Sequence, residues 1–519
     1  MKEKPQIVKA DFFLSTLAAF CLILSFPSFN LWFFAWIGFI PLFLAIDGKS
    51  LLKAFFISYL TGVLFFFGIA YWLVHVTLPG MVIVVIYLGL YFGIFGFAAS
   101  RASDSHPMAA LIVAPSVWVA LEWVRSHMFG GFGWALLAHS QSSNLPVIQI
   151  ADVTGAYGVS FLVMMINYAV FLTAREIRRK NNYTYYLAIA LLVLFISLAY
   201  GGLRLKNIFA GELLRVAVVQ GNIPQDKKWD ENFREEILDI YRSLTLEASN
   251  QHPDLIVWPE TSVPGYLELE RDLWESVSGL VKDVNKPILV GTPSVSRSAK
   301  DVYYNSAVLF REDGTIVERY DKLHLVPFGE YVPLKNVFWF VEKFAARPIG
   351  DFSAGKNWTV FNFFIERKAK TEQAHWKLLK KVKFSCLICF EDIFPDMARE
   401  FVKRGAAFLV NITNDAWFGR TAAAYQHAQT SVFRAVENRV NVVRAANTGI
   451  SCFIDQKGAV VAEVSSGGSN LFVRGIKTHD IVMANTRTIY TKYGDIFAYL
   501  CICVTLIYCV GLIFKGGAK

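Results

Sequence analysis

The sequence predicts a membrane-embedded bundle of about eight α-helices carrying a large extracytoplasmic α/β domain. Three observations lead there. Of 519 residues, 54% are hydrophobic and only 18% charged, the balance of a membrane protein. The longest apolar stretches gather before about residue 200 and again after about residue 494. Between them, short β-branched runs alternate with amphipathic helix patterns, the mark of a globular α/β domain.

A bilayer-spanning helix needs roughly 20 mostly apolar residues. The stretches that approach this are Phe12–Ser28, Leu31–Ile46, Ala54–Val74, Met81–Ser100, Pro107–Val124, Tyr157–Thr173, Tyr185–Tyr200 and Asp495–Phe514. The first two are short and carry Pro27 and Pro41, which predicts a kinked or tilted pair. A second span follows the first directly, so the N-terminal stretch does not read as a removable signal peptide. Eight spans place both termini on one side. Twelve Lys and Arg lie in the segments that would share that side, against Arg125 alone in the opposite short loops. Positive residues stay cytoplasmic, so both termini are inside and the long central segment is outside. The net charge of +9 follows largely from this topology and gives no reason to expect a nucleic-acid partner. The expected divisions are a transmembrane domain over 1–203, a large extracytoplasmic domain over 204–490 and a C-terminal span within 491–519.

Within 204–490, LLRVAVVQGN (213–222), DLIVWPE (254–260), KPILVGTPS (286–294), FSCLICFE (384–391) and AAFLVNITND (406–415) read as strands covered on both faces. Helix patterns occupy 230–249 and 427–447, and hairpin turns fall at Glu312-Asp313-Gly314 and Asp455-Gln456-Lys457-Gly458. A mixed sheet sandwiched by helices follows. No internal repeat stands out.

Chemistry in such folds sits at strand ends. Glu260 closes one strand and Lys322 follows another. Cys389 ends SCLIC, where Pro395 opens a helix that Gly405 stops. A thiol on a strand–turn–helix corner is exposed at the sheet edge, with turn N–H groups near it. Alone, such a thiol is a core residue, as Cys452 is expected to be, while Cys21, Cys501, Cys503 and Cys509 lie in expected spans, where cysteine behaves as a small hydrophobe. The Cys386-Leu387-Ile388-Cys389 spacing is not a redox or metal pair. On a strand, positions three apart lie roughly 10 Å from each other on opposite faces, and no second pair completes a zinc site. A catalytic thiol needs a base and a nearby cation. His324 and His427 have no evident orienting partner in the sequence, so Glu260 and Lys322 are the better candidates.

In order along the chain, VVQGNIPQDKKW (218–229), VWPETSVP (257–264), YDKLHLVPFGEYVP (320–333), ICFEDIFP (388–395) and NITNDAWFG (411–419) resemble the apolipoprotein N-acyltransferase family, the membrane-bound branch of the nitrilase superfamily. VALEWVR (119–125), FGWALLAHSQ (132–141) and QIADVTGAYGVSFLV (149–163) in the membrane part are similar to it as well. The resemblance implies a nitrilase-like α/β sandwich (αββα) outside a bacterial inner membrane. It implies transfer of an acyl chain from a phospholipid to the α-amino group of a diacylglyceryl apolipoprotein, with no metal or organic cofactor. Glu260 is then the general base, Lys322 the oxyanion stabiliser and Cys389 the nucleophile. Glu330 and Glu391 support Lys322 and the turn, and the Phe390 N–H is a second oxyanion donor. Trp229 and Trp417 line the site or serve as packing anchors. Phe390 and Gly133 depart from the family pattern, where tyrosine and proline are common.

Two features stay open at this stage. KNVFWFVEKFAARPIGDF (335–352), with Phe338, Trp339, Phe340, Val341 and Phe344, reads either as a core helix or as an interfacial arm over the acyl path, with Trp339 touching substrate. Glu122 and Arg125 either pair with each other or meet a lipid headgroup. Two other functions compete with the transferase. A membrane-tethered amidase acting on a small substrate would stay active when cut free of its spans. A transporter or receptor with a degenerate domain would carry paired intramembrane charges.

Overall fold

A computed structural model describes residues 9–105, 107–180, 185–207, 209, 211–296, 302–327, 329–331, 351–368, 377–483 and 487–517. The chain forms two compact units, Met1–Asn207 with Tyr493–Lys519, and Ile208–Lys492.

The first unit is helical: α1 (Lys9–Leu24), α2 (Ile40–Ile46), α3 (Leu51–Ala70), α4 (Leu78–Ser105), α5 (Pro107–His127), α6 (Ala156–Arg178), α7 (Tyr185–Lys206) and a last helix, Ile496–Gly517. Among the described residues, five helical stretches are long and apolar enough to cross a membrane, so this is a membrane protein. The expected span Leu31–Ile46 is not one helix. A 3₁₀ turn, Trp32–Trp36, is followed by the seven-residue α2, which carries Pro41 in its first turn, where a missing N–H costs no hydrogen bond. Between α5 and α6 the backbone breaks into short turns, of which residues 133–142 are buried. Irregular backbone is tolerated at membrane depth only where protein groups satisfy it. Glu122 and Arg125 do this. Glu122 Oε1 accepts the Leu137 N–H at 2.6 Å, and Arg125 Nη1 donates to the Trp134 carbonyl at 2.7 Å.

The second unit is an αββα sandwich. One sheet runs β12-β1-β2-β3-β4-β5 and the other β11-β10-β9-β8-β7-β6. The strands are β1 (Glu212–Gln220), β2 (Leu255–Val257), β3 (Ile288–Val295), β4 (Tyr303–Phe310), β5 (Ile316–Asp321), β6 (Phe361–Lys368), β7 (Lys377–Ile388), β8 (Phe408–Thr413), β9 (Asn441–Ala446), β10 (Cys452–Ile454), β11 (Val460–Glu463) and β12 (Gly475–Met483). Helices α8 (Arg234–Ser249) and α9 (Arg271–Val284) follow β1 and β2, and α10 (Pro395–Lys403) and α11 (Ala423–Asn438) follow β7 and β8. On α8, Ile237, Ile240, Tyr241, Leu244 and Ala248 form one buried stripe at helical spacing. They pack on Ala217, Val219, Ile256 and Trp258 of the first sheet. The inner faces of the sheets meet where β1 lies on β9 and β4 on β7.

The two sheets repeat one plan. β1, β2 and β3 are parallel and β4 and β5 return antiparallel, with β12 antiparallel outside β1. β7, β8 and β9 are parallel and β10 and β11 return antiparallel, with β6 outside β7. Thus the internal repeat that the sequence does not display exists in the topology.

The expected helix over 427–447 is half strand. Its second part, Asn441–Ala446, is β9, a fully buried central strand. Arg439 turns the chain at φ +53°, and the β-branched pair Val442-Val443 then continues as strand. The hairpin turns lie where the sequence places them, with Gly314 at φ +79° and Gly458 at φ +85°. The stretch Phe338 to Phe344, with Trp339, lies outside the described residues.

Candidate active site

Three strand ends converge. Cys389 follows β7 directly and opens a 3₁₀ turn, Cys389–Ile393. Its φ is +54°, which an L-residue with a β-carbon rarely adopts. The side chain is partly accessible, whereas Cys386 behind it is buried. Burial and the Glu260 carboxylate push the Cys389 thiol well above its usual range, while Lys322 and the Thr413 hydroxyl pull it down.

Glu260 lies in the turn after β2 and is 6% exposed. This turn reaches the sheet because Gly291 on β3 has no side chain. Ser262 N–H donates to the Gly291 carbonyl at 2.8 Å, and a β-carbon on Gly291 would sit 2.8 Å from Glu260 Cα. Lys322 follows β5 and is buried, with Nζ 2.9 Å from Glu330 Oε2 and 3.8 Å from Glu260 Oε1. Burial disfavours its ammonium, but the Glu330 and Glu260 carboxylates outweigh that, and the net shift is upward. Lys322 is therefore a fixed cation.

Glu391 anchors the turn. Its carboxylate accepts N–H groups from Ile388 (2.7 Å), Leu323 (2.7 Å) and His324 (3.0 Å), and the Tyr320 hydroxyl (2.9 Å). Burial lifts its carboxyl to about 7 against the pull of Lys322 and these donors. Glu391 thus ties the Cys389 turn to the segment bearing Lys322. Glu330 accepts from Lys322 and from the Val326 N–H at 2.8 Å.

Four residues that sequence reasoning missed complete the arrangement. Asn305 on β4 donates through Nδ2 to Glu260 Oε1 and Glu330 Oε1, 2.8 Å each. Lys228 is buried and donates to the Glu260 carbonyl at 3.0 Å; burial lowers its ammonium to about 8 although Glu260 raises it. His427, set aside for want of an orienting partner, has two. Nδ1 is 2.9 Å from Asp415 Oδ1 and Nε2 is 2.9 Å from Asp392 Oδ1. Burial opposes its charge, but those carboxylates raise it to about 9. Asn411 on β8 contacts the Cys389 carbonyl. The available signal was a polar residue inside an apolar strand run: Asn305 in YYNSAVLF and Asn411 in FLVNIT.

Trp229 is 49% exposed, Trp417 is partly exposed, and neither belongs to the buried core. The Phe390 ring packs edge-on to Phe394 at 5.1 Å. Among the described residues no cluster of three or more metal-ligating side chains occurs.

Chemically, the site offers a partly accessible thiol on a strained turn, a carboxylate close enough to act on its charge, a fixed ammonium and turn N–H groups. This is the equipment for acyl transfer through sulfur. Residues 18–169 match the family described as apolipoprotein N-acyltransferase N-terminal domain, and residues 215–487 match carbon-nitrogen hydrolase. An apolipoprotein N-acyltransferase of Geobacter metallireducens is 38% identical over 97% of this chain and 95% of its own. That of Chlorobaculum tepidum is 30% identical over 96% and 95%. Among solved structures, an amidase from Nesterenkonia sp. aligns with 54% of this chain and 95% of its own, at 17% identity and a TM-score of 0.35. On the extent of the sequence matches, the chain belongs to the apolipoprotein N-acyltransferase family.

Proposed function

We propose that the protein transfers an acyl chain from a phospholipid, through a thioester on Cys389, to the α-amino group of the diacylglyceryl-cysteine that begins an apolipoprotein. The observation that carries this reading is Cys389 on its strained turn with Glu260 and the fixed cation Lys322 acting on its charge.

In the first half-reaction Glu260 takes the Sγ proton and the thiolate adds to the phospholipid ester carbonyl. Lys322 and the Phe390 N–H stabilise the oxyanion. The carbon–oxygen bond breaks, the proton passes from Glu260 to the leaving glycerol oxygen, and the thioester remains. In the second, the α-amine attacks the thioester, its proton goes to Glu260, and the carbon–sulfur bond breaks. The released sulfur takes the proton back. General acid–base help is typically worth about 10²–10⁴-fold and an oxyanion donor about 10²–10³-fold. Loss of Glu260, Lys322 or Cys389 is therefore crippling. Glu330, Glu391 and Asn305 hold Lys322, the turn and Glu260 in register, and Trp229 and Trp417 line the substrate approach.

The helical segments before residue 204 and after residue 490 hold the enzyme in the bacterial inner membrane, with the catalytic domain on the periplasmic face. Both substrates are lipidated and compete for one thiol, so the first product leaves before the second substrate enters.

Intact mass after incubation with phospholipid alone tests the mechanism. The wild-type protein gains one acyl group at Cys389 and loses it when apolipoprotein is added, and Cys389→Ala gains none. Varying phospholipid at several fixed apolipoprotein concentrations gives parallel double-reciprocal lines. Intersecting lines with no adduct would falsify the covalent route.

A further inference from the structure

The Cys389 carbonyl is held from two directions. His427 Nε2, from α11, lies 3.2 Å from its oxygen, and Asn411 Nδ2, from β8, donates to it at 3.1 Å. Asn411 Nδ2 also reaches the Leu387 carbonyl at 3.2 Å. Neither side chain is free to turn. Arg444 Nη1, from β9, donates to Asn411 Oδ1 at 2.9 Å, so the amide must present its NH₂ group to the two carbonyls. His427 has a carboxylate oxygen against each ring nitrogen, so both nitrogens carry protons and Nε2 is a donor. Asp392, the partner of Nε2, is in turn fixed by Arg444 Nη1 at 2.8 Å and Ser431 Oγ at 2.5 Å. Arg444 also lies 3.5 Å from Asp415. All six side chains are at most 1% exposed, and two carboxylates face one guanidinium and one imidazolium. A balanced charge set of this kind is costly to bury unless its members are paired, and here each carboxylate meets both the imidazolium and the guanidinium.

The carbonyl thus held belongs to the peptide linking Cys389 to Phe390. That peptide is planar and trans, so the Phe390 N–H points directly away from the Cys389 oxygen. Clamping the oxygen on the inner side fixes the direction of the N–H on the outer side, where the oxyanion forms. The positive φ at Cys389 leaves this plane in need of such a hold.

We infer that His427 and Asn411, oriented by Arg444 and Asp392, are positioning residues that aim the Phe390 N–H at the oxyanion by gripping the opposite end of the same peptide. They touch neither substrate nor the reacting sulfur. Their effect belongs to the transition state, because an oxyanion gains from a correctly aimed donor and a resting thiol does not.

The inference rests on Cys389 being the acylated residue, and the experiment separates the two. Asn411→Ala and Asn411→Leu remove the donor without changing charge, and His427→Gln removes the ring. The rate of thioester formation with phospholipid is measured beside the rate at which iodoacetamide alkylates Cys389, read from the mass of the peptide containing it. Alkylation needs the thiol and no oxyanion donor. Expected is a fall in thioester formation of about 10-fold or more in each variant, with KM for phospholipid within about two-fold of wild type. In the two Asn411 variants alkylation stays within about three-fold, in proteins whose thermal melts remain cooperative. Unchanged thioester formation, or alkylation falling in parallel with it, overturns the clamp. A variant set that does not fold assigns the network to stability and overturns it equally. Absence of a thioester on the wild-type protein fails the catalytic reading instead.

Discussion

Two cysteines three residues apart have opposite fates. Cys386 is an interior residue of β7, buried, and burial pushes its thiol well above the ordinary range. Cys389 sits one step beyond the strand, where the chain turns. Cys386→Ala is expected to keep most acyl transfer and to lower stability by about 1 kcal/mol, the order of a small buried deletion, in a denaturant titration. Equal loss of activity in Cys386→Ala and Cys389→Ala would contradict this division. His427 gives a second prediction. Its folded-state value of about 9 lies above the ordinary imidazole value of 6.5. Its contribution to stability is fully present below about 6.5 and is lost as pH rises through about 9. Lys228, lowered to about 8, acts with opposite sign only above that value. Between about pH 6.5 and 8 the wild-type melting temperature therefore falls more steeply with pH than that of His427→Gln, by up to about 1.4 kcal/mol of stability per pH unit. Equal slopes would mean that His427 is not charged in the native state. Glu260, Lys322, Cys389, Glu330 and Glu391 were legible because each lies in a contiguous motif. Asn305 and Asn411 were not, since their partners come from other strands and the sequence shows only neighbours along one chain.

Elements set the positions that single residues cannot. Glu260 is brought to the site by close approach of its turn to β3, and Gly291 is what permits it. Gly291→Ala puts a methyl 2.3 Å from the Pro259 carbonyl oxygen, so the turn must shift outward. Because a displacement of about 1 Å can cost on the order of 10²-fold in rate, this variant is expected to lose at least about ten-fold in acyl transfer while its circular dichroism stays native. Retained activity would show that the turn has room to spare. Strands flanked by turn residues were legible for a physical reason: Gly314, Gly458 and Pro395 act locally. β9 was hidden because the apolar spacing of α11 continues through Arg439 into Asn441–Ala446. Only burial between β8 and β10 turns that run into a strand.

For the whole molecule, the charge bias of the short loops makes a topological prediction. A reporter fused after Lys519 is expected on the cytoplasmic side and an epitope inserted at Gln373 outside, as read by protease or thiol labelling of intact cells. A cytoplasmic epitope would mean that one span has been miscounted, since a single helix more or fewer inverts everything after it. Five of the eight expected spans, those within 51–206, were legible as hydrophobicity, which is additive along a chain. Between Trp32–Trp36 and α2, Pro41 signalled a kink, but the full break was not legible, because composition does not record where a helix stops. The doubled strand plan has a consequence for synthesis. The first sheet brings Glu260 and Lys322, and the second brings Cys389. A nascent chain therefore emerges with its thiol and the groups that would arm it on separate halves. On the proposed mechanism, a chain whose two sheets have not yet met would hold the thiol apart from its base and its cation, and so would be unable to start the reaction.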